Sequence, residues 1–185
     1  MVVQPVSGKY AEAVLRGSCY FATIGAAGAA PGTAIGTTAF ISLWNPLGSG
    51  RTLRVLRATL GYISGTIGAG AIFYAINRTS SATAPTGGTV LANVNAFLGY
   101  ADSSAALAGT AQTLVATPVA GEIMASSGPI LATSVVQPYQ IVDDIDGRYL
   151  IAPGNGLSLQ FVGGAGTVPL LSASFFWEEV SQGQE

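Results

Sequence analysis

Histidine is absent from the 185 residues, and cysteine occurs once. Without an imidazole, Ser-His-Asp and Cys-His catalysis and histidine-bearing zinc sites are excluded. The single Cys19 cannot form an internal disulfide, and its apolar neighbours Tyr20 and Phe21 predict a small buried side chain. No acid-base constellation elsewhere replaces the missing histidine, so we do not expect an enzyme.

Charge is also scarce: charged residues make up 9% of the chain against roughly 25% in an ordinary soluble domain, and the net charge is -2. With 49% hydrophobic residues, one explanation is that much of the surface faces other protein. The other is that Ser, Thr, Asn and Gln interact with water in place of charges. We favour the first, which predicts a permanent oligomer or a component of an assembly.

The long uncharged stretches are not typical of membrane-spanning segments. The longest, Gly17 to Gly50, contains Pro31 and Pro46 and many glycines, whereas a spanning helix needs about 20 mostly apolar residues. The N-terminus lacks the basic-then-apolar pattern of a secretion signal. A sequence pI near 5.0 argues against nucleic acid as a partner. The glycine runs lack the Lys-Ser/Thr continuation of a phosphate loop, so we expect no cofactor.

Alternating apolar residues and Gly/Pro/Asn turns are most regular at the C-terminal end. There they predict strands at Arg148–Ala152, Gly156–Val162 and Thr167–Glu179, joined as an antiparallel hairpin series. In the last strand apolar residues occur on both faces, so it is covered on both sides, in a sandwich centre or against another subunit. The residues expected in the core or at an oligomer contact are Phe161, Leu171, Phe175, Phe176 and Trp177.

Upstream, similar patterns bring the total to about eight to ten short strands with almost no helix. Further strands are predicted at Ser18–Ile24, Thr37–Trp44, Arg51–Ser64, Gly70–Asn77, Thr89–Tyr100 and Gln112–Thr117. The fold class is therefore all-β, an antiparallel, jelly-roll-like β-sandwich. It spans 37–180 between an N-terminal arm at 1–36 and a polar tail at 181–185.

For each half of the arm, the sequence leaves two conformations open. Lys9–Arg16 could form a short helix with Tyr10, Ala13 and Val14 on one face, or lie extended on a neighbouring molecule. Gly25–Gly36 is either a flexible linker, which we favour slightly, or a segment packed tightly against another backbone.

Candidate binding residues are basic. On strand periodicity Arg51 and Arg57 share a face with Leu53, and Arg54 lies on the other face. These three arginines could form ion pairs with acidic groups elsewhere or bridge subunits. Lys9 and Tyr10 of the arm complete the residues predicted to bind a partner.

Asp143, Asp144 and Asp146 precede Gly147 and resemble a calcium loop. The EF-hand spacing fails, so a turn in which the carboxylates bond backbone amides is favoured over a metal site. An unconventional calcium or magnesium site remains as the alternative.

Ala152–Leu159 (APGNGLSL), the final Ser174–Val180 (SFFWEEV), few charges and a small-residue arm together resemble the capsid decoration (cement) and head-fibre-base proteins of tailed bacteriophages. The resemblance implies a jelly roll, homotrimers, and an arm or loop that grips the major capsid protein. It also implies a place on the phage head surface after synthesis in the host cytoplasm.

The alternative is a receptor- or glycan-binding β-sandwich of a phage fibre or tail. In that case Tyr62, Tyr74, Tyr100 or Tyr149 would be exposed and stack on sugars. Their burial in the folded chain discriminates between the two functions.

Overall fold

The computed structural model describes residues 8–127 and 140–182. Within them lie one short helix, α1, and eleven strands. Their bounds are α1 Ala11–Leu15, β1 Cys19–Thr23, β2 Ile41–Trp44, β3 Arg51–Thr66, β4 Gly70–Asn77, β5 Thr89–Leu91, β6 Val94–Asn95, β7 Leu107–Thr110, β8 Val119–Ser127, β9 Gln140–Ile151, β10 Gly156–Gly163 and β11 Thr167–Ser181. In the described part of the chain no helix is long and apolar enough to cross a membrane.

Two antiparallel sheets share one hydrophobic core, which confirms the predicted β-sandwich. The five-stranded sheet has the order β6-β1-β11-β3-β9, and the six-stranded sheet has the order β5-β7-β2-β10-β4-β8. The pairing is nested, because β1 pairs with β11, β3 with β9, β2 with β10 and β4 with β8. The two ends of the described chain therefore meet in the same sheet.

The last three strands form where the sequence predicts, but the predicted hairpin series is wrong. β9 and β11 belong to the five-stranded sheet and β10 to the six-stranded sheet, so both connections cross from one sheet to the other. Turn residues reverse the chain without deciding which sheet it returns to. That choice follows from burying the apolar face of each strand against the opposite sheet.

β11 is the central strand of its sheet, between β1 and β3. Leu171, Ala173, Phe175 and Trp177 alternate along its inner face and are all buried. Phe161 of β10 reaches the same core from the opposite sheet. These predicted core residues therefore pack within a single subunit.

Phe176 faces the other way and is covered by α1. The rings of Tyr10 and Phe176 meet edge to face with centroids 5.6 Å apart, and Ala13, Cys19 and Leu56 complete this small second cluster. Lys9–Arg16 thus follows the helical alternative and lies on the chain's own sheet, while residues 1–7 of the predicted arm lie outside the described residues. Burial raises the pKa of the Cys19 thiol to about 12, which keeps it protonated.

The structure joins the two parts that the sequence analysis divided at residue 36. β1 pairs with β11, and Ala29 exchanges backbone hydrogen bonds with Leu171 at 2.8 and 3.0 Å. At Gly28 a Cβ would lie 3.1 Å from the Leu171 carbonyl oxygen, so a larger residue would crowd β11. At Gly28 and Ala29 the glycine-rich stretch is therefore packed against the backbone of the chain's own β11 and is not a free linker.

Two predicted strands differ from the structure. Thr89–Tyr100 divides into β5 and β6, which lie in different sheets. Gln112–Thr117 is not a strand, since β7 ends at Thr110 and Ala111 has a positive φ of 53°. The backbone turns there, which places Gln112 over the outer face of the six-stranded sheet.

Uncharged polar side chains are buried on that outer face. The Ser42 hydroxyl donates to Gln112 Oε1 at 2.9 Å, and a side chain at Gly109 would collide with the Gln112 amide. Gln160 accepts from the Gly36 N–H at 2.7 Å and donates to the Gly36 carbonyl at 3.0 Å. Pairing is what makes these buried amides tolerable.

Candidate functional site: a charged groove on the five-stranded sheet

A groove of about 890 Å³ opens on the five-stranded sheet where β3 begins and β11 ends. The connection from α1 to β1 and a protrusion of β9 form its sides. Its charged lining consists of Arg16, Arg51, Arg54, Asp146, Glu178 and Glu179. The volume lies within the range of ligand sites in proteins.

A β-bulge in β3 decides which arginines share this surface. The register of β3 shifts at Leu56 against both β11 and β9. Because a bulge adds one residue to the alternation, Arg57 lies on the same outer face as Arg54. The predicted placement of Arg57 on the Arg51 and Leu53 face is therefore wrong.

Glu178 is the buried centre of the groove and is only 3% exposed. Arg54 donates to Oε2 from Nε at 3.0 Å and also from Nη2. On the other oxygen, Arg16 Nη2 donates at 3.0 Å and the Ser18 hydroxyl at 3.3 Å. A carboxylate accepts about four hydrogen bonds, so Glu178 is saturated by its own chain.

Glu179 is the second carboxylate at the groove and stabilises a loop. Its Oε1 accepts from the Ser104 hydroxyl at 2.6 Å and from the N–H groups of Ala105 and Ala106 at 2.9 and 3.3 Å. Both glutamates thus have structural partners, and neither is placed as a free acid or base.

Asp146 anchors the start of α1 to β9. Both Lys9 Nζ and the Tyr10 hydroxyl donate to its carboxylate. Its φ of 53° and the φ of 82° at Gly147 raise this part of β9 out of the ladder toward α1. The Lys9 hydrogen bond lowers the pKa of Asp146, and the same contact raises the pKa of Lys9.

The three predicted aspartates do not form a turn, because they lie within β9. Asp144 accepts from Arg57 Nε at 2.8 Å, Asp143 accepts from Arg148 Nη2 at 3.0 Å, and Asp146 binds the start of α1. Across residues 8–127 and 140–182, no group of three or more Cys, Asp or Glu side chains could hold a metal ion.

A second polar cluster joins the two sheets at β4, β8 and β9. The Tyr74 hydroxyl donates to Asp143 at 2.7 Å, and Arg148 Nε lies 3.3 Å from Glu122 of β8. Tyr149 donates to Glu122 at 3.1 Å, and its ring centroid lies 5.2 Å from that of Tyr74. Burial raises the pKa of Tyr74, so its hydroxyl stays protonated as a donor.

The predicted partner-binding residues lie on this charged side of the molecule, but most are engaged within the chain. Arg54, Arg57 and Lys9 each pair with a carboxylate, so two of the three predicted arginines find acidic groups elsewhere in the chain. Arg51 is exposed and hydrogen-bonds the Ser181 hydroxyl. Within the described ranges Arg51 forms no ion pair.

The four tyrosines considered for sugar stacking do not form one platform. Tyr74 is buried, and Tyr62 and Tyr149 are half-buried. Only Tyr100 of the four is exposed, and its ring stacks on Phe97 with centroids 5.2 Å apart.

Sequence reasoning did not identify Arg16 and Glu178 as site residues. A signal for Glu178 was present, since two-residue alternation from Phe176 places it on the same face of β11. Nothing local links Arg16 to it, because the two are 162 residues apart.

Comparison with protein-family models, with curated proteins and with solved structures finds no match to this chain.

Proposed function

We propose that this chain is a structural protein of a virus particle, which decorates and stabilises the head of a tailed bacteriophage as a homotrimer bound to the major capsid protein. The observation that carries the proposal is the nested strand pairing. The nested order of β1 to β4 and β8 to β11 supports a jelly roll, a fold found in viral capsid and lectin domains. It is also the fold that the phage resemblance implies.

The surface supports the same proposal. Much of the small charge content is used in contacts within the chain, and fifteen large hydrophobic residues are exposed among the described positions. Leu98, at 80%, and Val168, at 72%, are the most exposed of them. Burying apolar area between subunits contributes about 25 cal/mol per Å², less the cost of association.

The native mass is the first test, measured by light scattering at low and high salt. A trimer has a mass of about 56 kDa, three times the 18.6 kDa of the chain. An apolar interface predicts that this mass persists at high salt, because screening weakens only charge contacts. The trimer should then co-sediment with purified phage heads. A monomer that remains in the supernatant contradicts the proposal.

A small pocket supports glycan binding on a phage fibre or tail as the second candidate function. It measures about 260 Å³ at one end of the sandwich, and its lining includes Tyr149, Arg78, Asn77 and Asn155. Amide and guanidinium donors beside an aromatic ring are groups that can bind a sugar. Binding to a glycan array that is lost in Arg78→Ala would favour this candidate, and an array without signal would remove it.

A further inference from the structure

We infer that the charged groove binds an acidic segment of a partner protein, with Arg51 as the main contact and an apolar side chain of the segment beside its carboxylates. This deepens the proposed function by specifying the chemistry of the surface that the partner presents. It rests on the proposed function only for the location of the partner, because the charges that select an acidic segment belong to the groove itself.

The charge that the groove presents to solvent is positive, although the chain as a whole is acidic. The Arg16 and Arg54 side chains are 56% and 43% exposed, while that of Glu178 between them is 4% exposed. Glu179 is buried as well, under the loop it stabilises. Glu178 thus holds both guanidinium groups from below and leaves them partly exposed, and Arg16 Nη1 also lies 3.4 Å from the exposed Glu12. A carboxylate ligand would complement these guanidinium groups.

Arg51 is the guanidinium most available to such a ligand. It is exposed at the first residue of β3, and no carboxylate pairs with it in the part of the chain that the structure describes. It lies on the Leu53 face of β3, opposite to Arg54, and lines the groove at the end of the sheet, where it hydrogen-bonds the Ser181 hydroxyl. A bidentate contact from Arg51 to an incoming carboxylate therefore breaks no ion pair found within residues 8–127 and 140–182.

The groove also has an apolar side, which argues for a peptide. Leu150 of β9 is 60% exposed and lines the groove, and the half-buried Val180 of β11 lines it as well. The hydroxyls of Thr52 and Ser181 lie in the same lining. A segment that alternates acidic and apolar residues would place carboxylates on the arginines and an apolar side chain on Leu150.

Nucleic acid fits less well. Asp146 is 43% exposed at the groove, and the net charge of the chain is -2, so repulsion grows with the number of negative charges on the ligand and is larger for a polyphosphate than for a short carboxylate segment. A nucleic acid that bound through its phosphate groups alone would make no use of the apolar side of the groove.

The test uses a fluorescein-labelled Glu-Leu-Glu-Leu-Glu peptide and its Gln-Leu-Gln-Leu-Gln analogue, with fluorescence polarisation on the full chain. We expect binding of the glutamate peptide in the micromolar to millimolar range and none of the analogue. Arg51→Ala should weaken binding about five- to tenfold. Arg148→Ala is the control, since Arg148 is an exposed arginine outside the lining of the groove, and it should bind as the parent does.

Three results would overturn the inference: no binding at 1 mM peptide, equal losses in the two arginine variants, or tighter binding of a labelled single-stranded oligonucleotide of equal charge. Light scattering on Arg51→Ala checks that fold and mass are unchanged. If the unmutated protein forms trimers on phage heads but does not bind the peptide, only this inference is contradicted. If it is a monomer that binds the peptide through Arg51, the proposed assembly role is contradicted and the inference about the groove is not.

Discussion

The two sheets of the sandwich differ in how they use charge. The described strands of the five-stranded sheet carry nine charged residues, whereas those of the six-stranded sheet carry one, Glu122. On the first sheet, ion pairs hold α1 against the outer face through Glu178 and Asp146. On the second sheet, hydrogen bonds of the Gln112 and Gln160 amides hold loop segments against the outer face, and no charged group takes part.

The difference shows two ways to cover the back of a sheet. Amides that pair with a hydroxyl or with backbone groups give contacts that are insensitive to salt and pH. Ion pairs can leave cationic groups exposed after the carboxylates are buried, as they do at the groove. The scarce charge is therefore concentrated on the five-stranded sheet, and the opposite sheet carries only Glu122 in its described strands.

The largest expected effect tests what the sheets share, their core. Trp177→Ala should lower the free energy of unfolding by roughly 3–5 kcal/mol, because the fully buried ring stacks on Tyr20 at 6.2 Å and leaves a cavity. Trp44 is then the only tryptophan, so its fluorescence follows the six-stranded sheet while circular dichroism follows both. Coincident denaturant transitions are expected. Separate transitions would mean that the sheets are not one unit.

The next effect tests the charged sheet. Glu178→Ala should cost about 2–3 kcal/mol of unfolding free energy, since a buried carboxylate that binds two arginines is removed. The control is Glu122→Ala, whose ion pair with Arg148 is exposed and is expected to contribute less than about 1 kcal/mol. Urea unfolding at two salt concentrations measures both. Equal costs would show that burial of Glu178 does not matter.

A smaller effect tests the uncharged sheet. Gln160→Ala should cost about 1–2 kcal/mol, because the N–H and the carbonyl of Gly36 both lose their partner. This cost should not change with salt, because Gln160 and Gly36 carry no charge. The exposed Gln140→Ala is the control and should be neutral. If the cost of Gln160→Ala changed with salt, the distinction between the two sheets would be contradicted.

The smallest effect is the pH dependence of the α1 anchor. Asp146 has a pKa below its ordinary 3.8, so its contribution is present above that pH and is lost as the pH falls through the lowered value. Lys9 has a pKa above its ordinary 10.5, so its contribution is present below that pH and is lost as the pH rises through the raised value.

The contact should therefore persist between about pH 4 and 10, which the NMR signal of the Tyr10 ring would follow. Asp146→Asn should remove the acid transition and leave the six-stranded sheet unchanged. An acid transition that survives in Asp146→Asn would assign it to another carboxylate.

Much of the local structure follows from the sequence. The predicted Gly70–Asn77 has the bounds of β4, and Arg51–Ser64 differs from β3 only at its end. The inner face of β11 was also predicted correctly. These features depend on alternation and turn residues, which act between neighbours along the chain.

Tertiary structure decided the rest. Local patterns do not predict that β10 lies in the sheet opposite β9. They also do not predict the bulge at Leu56 that turns Arg57, or the ion pair between Arg16 and Glu178. Each depends on burying one apolar face against another and on pairing charges that are distant in the sequence. Alternation specifies which side chains share a face of a strand, but only the packed sheets determine what that face meets.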